Sequence, residues 1–258
     1  MHCTKGPPPL PRDRVVRALC GKIVERSFRH QLPPPHPLQL ATMAEMELEL
    51  QKGLLATGTR RVLEFIKTQK IGLLVFPGST GADVKTLLRL AAQFIMPPIE
   101  LPPLISIGRI TGVRIREITD FEGAYSALGR KYPKQFCEPL DGKTILVVDD
   151  TSGAKAQTIA VMKIVLGLSG AEVPAATLVH TPSEEGERML DAAGPPLDRG
   201  VFFYGLKRIA LTNDTGNFWE QVAPEEIRIY GRRDGVLLES VKAHLRDVAC
   251  RAAMLSEW

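Results

Sequence analysis

Two adjacent carboxylates, Asp149 and Asp150, close the apolar run of "TILVVDDTSGAKAQT" (residues 144–158). The run is β-branched and apolar enough for a buried strand. A Thr-Ser-Gly turn separates it from a segment with helical character. Neighbouring carboxylates repel each other, so their presence at a strand end needs an explanation. Carboxylate oxygens accept from both hydroxyls of a cis-diol or from the waters of a hydrated Mg²⁺. The turn itself, Thr151, Ser152, Gly153, Ala154 and Lys155, offers amides, two hydroxyls, a helix N-terminus and an ammonium group to a phosphate. Diol and phosphate together describe a ribose phosphate. The bland alternative is a pair of solvated acids at a helix start.

A second strand–turn–helix precedes it, "LLVFPGSTGADVKTLL" (residues 73–88). Gly78 and Gly81 permit a backbone that exposes amides, and Ser79 and Thr80 add hydroxyls ahead of a helix N-terminus. The turn does not fit the GxxxxGK[ST] phosphate loop, because Lys85 stands in the wrong place. By itself it also suits a plain connection.

The elements that must position these turns follow from periodicity. A helix is expected at "RRVLEFIKTQK" (60–70), with Thr57 or Thr59 as its cap. Strands are expected at 71–76 and 104–108, and a helix at 82–94 with Val84, Leu87, Leu88, Ala91 and Ile95 on one face. Residues 109–139 are polar and basic, with no clear element. The strand ending in the two aspartates, a helix to about 170 and a strand "AEVPAATLVH" (171–180) come next. Further elements are expected at 183–193, 201–204 and 208–212, and a closing amphipathic helix after residue 233. Alternating strands and helices predict an α/β fold, a mainly parallel sheet flanked by helices.

The aspartate stretch resembles the phosphoribosyl pyrophosphate signature of the type I phosphoribosyltransferase family, in which four apolar residues precede two acids and a Thr/Gly-rich loop. "VFPGSTGADVKTLLRLAA" stands about 70 residues upstream, where that family binds pyrophosphate, and "GLSGAEVPAATLVH" looks like the strand after its signature helix. The resemblance covers roughly residues 57–182. It implies a pentosyltransferase that moves ribose 5-phosphate from phosphoribosyl pyrophosphate to a nucleobase, a purine by slight preference. Mg²⁺ would be carried by the donor near Asp149 and Asp150. Those two acids would hold the ribose hydroxyls, residues 151–155 the 5′-phosphate, and Gly78, Ser79, Thr80 and Gly81 the pyrophosphate. A mobile cationic loop would come from Arg109, Arg114, Arg116, Arg130, Lys131 and Lys134, with Arg130 and Lys131 of "GRKYPK" as the catalytic choice. Tyr204 and Trp219 lie where the family builds its base pocket. A homodimer and a cytoplasmic, purine-salvage setting are common in the family. This chain departs from the signature at Ala154, Lys155, Ala156 and Gln157, which leave fewer glycines and hydroxyls around the phosphate. That departure motivates a rival reading, a non-catalytic relative that senses nucleotides or assembles with other proteins.

Composition bounds the rest. The 258 residues are 44% hydrophobic and 24% charged, with a net charge of +4. Residues 1–42 hold eight prolines and seven Lys or Arg against two acids, a composition expected of a disordered extension, with folding starting near Met43. Organelle import is a second reading of that segment. The nearly neutral remainder gives no electrostatic case for nucleic acid, and no apolar run reaches the length of a membrane span. Cys3, Cys20, Cys137 and Cys250 are scattered, which supports neither a metal site nor a disulfide framework. "NDTGNFW" (213–219) is expected to be a turn and His180 structural. A phosphoacceptor receiver domain is disfavoured, because two βα units precede the acids.

Overall fold

Pro37 opens a 32-residue helix, α1 (Pro37–Thr68). Proline suits the first helical position, where its missing N–H would have no partner. The Leu, Met, Glu, Gln and Ala residues that follow are good helix formers. The helix thus begins well before Thr57 and Thr59, its expected caps, and passes through Met43; Thr59 is buried within it. This computed structural model describes residues 36–78, 80–136, 140, 142–151, 156–180, 188, 197–198, 201–202 and 235–255. Of the element expected at 183–193 only Arg188 falls among them, and of that expected at 201–204 only 201–202; the one expected at 208–212 lies outside.

Strand β1 (Ile71–Pro77) leads into α2 (Gly81–Phe94), and β2 (Leu104–Ile107) follows. All five residues expected on the inner face of α2 and at its end, from Val84 to Ile95, are buried. Residues 109–136 are ordered into small elements. A tight hairpin, β3 (Arg109–Ile110) and β4 (Val113–Arg114), turns through Thr111 and Gly112, both at positive φ. A 3₁₀ turn (Ile115–Glu117), helix α3 (Phe121–Lys131) and the short α4 (Pro133–Phe136) come next. The Asp120 carboxylate caps α3 by accepting from Gly123 N–H at 2.9 Å. The chain continues through β5 (Thr144–Thr151), α5 (Ala156–Gly167), β6 (Ala175–His180), β7 (Leu197–Asp198), β8 (Val201–Phe202) and α6 (Gly235–Met254).

The main sheet has the order β2-β1-β5-β6-β7, with β8 also on β6, and every pair in it is parallel. Alternate residues serve opposite faces. Leu73, Val75, Ile105, Ile107, Ile145, Val147 and Ala175 pack with Ala124 and Leu128 of α3 and Ile159, Met162, Val165 and Leu166 of α5. Leu74, Phe76, Leu146 and Val148, equally buried, belong to the other face, where α2 contacts β1, β2 and β5. On that face α1 approaches β6 so closely that a Cβ on Gly58 would run into the backbone carbonyl of Leu178. The result is the expected α/β architecture, a parallel sheet between helices.

The chain divides into two compact units, Leu54–Tyr204 with Lys242–Trp258, and Met1–Gly53 with Gly205–Val241. The sheet belongs to the first. α6 buries Leu245, Val248, Ala249 and Ala252 within that unit, a one-sided helical spacing. Among the described residues no helix is long and apolar enough to cross a membrane.

Candidate functional site

The strand order reverses between β1 and β5. From β1 the chain crosses through α2 to β2 on one side; from β5 it crosses through α5 to β6 on the other. Such a topological switch point opens a crevice at the carboxyl ends of the strands. The end of β5 and the described residues of the turn after β1 lie there.

The pairing around the crevice is uneven. β1 stays bonded to β2 through Pro77–Ile107, and Gly78 N–H still donates to Ile107 O at 2.9 Å. β5 stays with β6 through Asp149–Thr177 and Thr151–Val179. Between β1 and β5, however, the register runs only to Val75–Val147. Each inner strand therefore keeps its outer neighbour past the point where the two stop pairing with each other.

Asp149 and Asp150 stand on the far side of that split, still within β5, at 0% and 2% exposure. Strand alternation sends their side chains to opposite faces. Asp149 follows Val147 toward the α5 face, and Asp150 follows Val148 toward the α2 face. The repulsion expected of neighbouring acids is relieved by this divergence. Ile145 and Val147 donate their N–H groups to Glu172 O and Pro174 O, toward β6. The N–H of Asp150, one residue out of phase, therefore points toward β1. There it donates to Oδ1 of Asp149 at 2.8 Å. The Asp149 carboxylate accordingly takes the place of a β1 carbonyl where the ladder ends. Burying two carboxylates costs on the order of several kcal/mol each. The apolar residues on both faces, at about 1.5–3 kcal/mol for each fully buried side chain, offset it.

On the β1 side, Gly78 adopts φ 79°, a left-handed conformation that a side chain would strain. Thr80 is buried at the N-cap of α2 without a side-chain capping bond. Gly81 opens the helix, and a Cβ there would strike the Phe76 carbonyl. Ser79 and residues 152–155 lie outside the described residues, as do Tyr204 and Trp219. Thr151 is the last residue of β5.

The basic stretch is docked. Gln157, in the first turn of α5, donates from Nε2 to Arg116 O at 3.0 Å across 41 residues. This bond ties the 3₁₀ turn to the start of the helix that follows the aspartates. It gives Gln157, a departure from the family signature, a structural use. Arg114 and Arg116 are exposed, 3.9 and 3.8 Å from Glu117.

Arg130 and Lys131, expected in a loop, close the last turn of α3 instead, where cations favour the helix C-terminus. Lys131 lies over the Tyr132 ring at 5.4 Å, and the Tyr132 hydroxyl donates to Ser106 O of β2 at 3.0 Å. This anchor is what makes "GRKYPK" part of the packed structure. Arg130 lines a cavity of about 370 Å³ with Glu117, Asp120 and the hairpin residues Thr111 and Val113; neither Asp149 nor Asp150 lines it. The structure thus brings Gly78, Gly81 and the two β5 acids to the strand ends at the switch point, and sets Arg130 on a cavity that neither Asp149 nor Asp150 lines.

Sequence reasoning passed over Thr177. It is fully buried in β6, in register with Asp149 and on the same face. Its hydroxyl makes no hydrogen bond among the described residues. A polar residue inside "AATLVH" was the available signal. Among the described residues no three His, Cys, Asp or Glu side chains form a group able to hold a metal ion. Comparisons with protein-family models, with curated proteins and with solved structures gave no match.

Proposed function

We propose that this chain is a phosphoribosyltransferase of the type I kind, transferring ribose 5-phosphate from phosphoribosyl pyrophosphate to a nucleobase. One observation carries the reading. The Gly-rich turn after β1 and the buried acid pair of β5 meet at a switch point where strand pairing has already parted. A ribose lying across the end of β5 would meet Asp149 from one face and Asp150 from the other. Its pyrophosphate would lie toward Gly78 and the N-terminus of α2, whose amides and dipole favour anions. The acids are hard oxygen ligands, suited to waters on a Mg²⁺ that arrives with the donor. Transfer of this type passes through an oxocarbenium-like state. The protein's work is then to align the reactants and stabilise the departing pyrophosphate.

The docked, helical setting of Arg130 and Lys131 favours a second reading, a relative that binds the donor without turnover. A purine acceptor, a homodimer and a cytoplasmic setting remain expectations of the family likeness. Calorimetric titration with phosphoribosyl pyrophosphate and Mg²⁺, repeated on the Asp149→Asn, Asp150→Asn double variant, tests both. Binding by the intact chain that disappears in the double variant is the expected result. A lack of binding by the intact chain sinks the proposal. Binding without turnover over a panel of nucleobases selects the second reading.

A further inference from the structure

Thr177 carries an inference that rests on the reading above. Its side chain is 0% exposed and its hydroxyl is without a hydrogen bond among the described residues. A buried polar group in that condition is costly, which makes it a place to look for a function. Register pairs Thr177 with Asp149 across β5 and β6. Val147 and Ala175, the preceding pair, both face the α5 side, so Asp149 and Thr177 share that face as well.

The hydroxyl is one rotation about χ1 from a new direction, and a threonine has three such wells. The Asp149 carboxylate is the acceptor in register on its own face. Asp150 N–H already fixes Oδ1 of that carboxylate. A bond from Thr177 would fix Oδ2 and, with it, the plane of the group. An acid held at both oxygens presents its remaining lone pairs in one direction.

We propose that Thr177 is the positioning residue for Asp149, turning its hydroxyl to the carboxylate when a ribose diol is bound. Thr177→Val keeps the shape and removes the hydroxyl; Thr177→Ser keeps the hydroxyl. The test measures phosphoribosyl pyrophosphate binding with Mg²⁺ by calorimetry, and the thermal midpoint without ligand, for both variants and the intact chain. Thr177→Val is expected to weaken binding by about tenfold to a hundredfold, the usual size of a lost hydrogen bond to a charged group. It should leave the unliganded midpoint equal or higher, since no bond is lost there. Thr177→Ser should bind within about twofold of the intact chain, since the donor to the carboxylate is retained. Unchanged binding by Thr177→Val overturns the proposal, as does an equal loss in both variants or a lowered midpoint that accompanies the loss. A lack of binding by the intact chain overturns it together with the function on which it rests, and is told apart because the variants then play no part.

Discussion

Oδ1 of Asp149 accepts from the amide of its own successor, and that amide points to the side of β5 where β1 has stopped pairing. The acid is therefore both a candidate ligand for a diol and the plug of an open ladder. The two roles separate by substitution. Asp149→Asn retains the acceptor oxygen and should melt within a few degrees of the intact chain while losing donor affinity. Asp149→Ala removes the acceptor as well, exposing the Asp150 N–H to an unmet demand of about 1–3 kcal/mol. A urea titration of the two variants checks the difference. Equal stabilities would mean that the carboxylate does not support the strand end.

At the scale of elements, the sheet is held from both faces, and α1 approaches it most closely at Gly58. A methyl group there meets the Leu178 carbonyl in the middle of β6. Backbone cannot step aside as a long side chain can. Gly58→Ala should therefore lower stability by at least about 1–3 kcal/mol, the usual cost of overpacking, despite alanine's better helix propensity. Gly53, in the same helix, has no atom of the described residues, beyond its chain neighbours and its own helix's backbone, within 4 Å of the point a Cβ would occupy. Gly53→Ala therefore serves as the control and should be neutral or stabilising. Thermal melts of the pair test this. The β2 edge is handled differently. The Tyr132 hydroxyl covers the outward carbonyl of Ser106, a polar group that an incoming strand would otherwise use.

For the whole molecule, most of the architecture was legible from "IGLLVF", "LISIG" and "TILVVDD", because short apolar runs between amphipathic helices have few other ways to be buried. The one-sided burial of α2 followed from spacing alone. The start of α1 did not, since Pro37 is an N1 signal set in a run of prolines. Residues 109–136 carried a signal that was missed, Asp120 three residues before Gly123 in capping position. The parting of β1 from β5 and the Gln157–Arg116 tie depend on contacts far apart in sequence, which local patterns do not encode. The opposed directions of Asp149 and Asp150 follow from strand period, once β5 is known to run through both. Burial also sets a pH dependence. Lys163 on α5 is 5% exposed, and desolvation lowers its pKa from the ordinary 10.5. Between the lowered value and 10.5 the unfolded chain binds the extra proton, so this lysine makes stability rise with pH across that window, and its penalty is complete below it. Urea midpoints measured from about pH 7 to 10 should climb more steeply for the intact chain than for Lys163→Met. Parallel slopes would contradict the assignment.

The hydrogen bond between Asp150 N–H and the Asp149 carboxylate has one more consequence. An amide proton held by a carboxylate has its chemical shift set by that group's charge. In a nitrogen–proton correlation spectrum, the Asp150 cross-peak should move when a ligand draws on the Asp149 oxygens. The chain thus carries an intrinsic resonance reporter inside the crevice, legible without any label beyond the isotope.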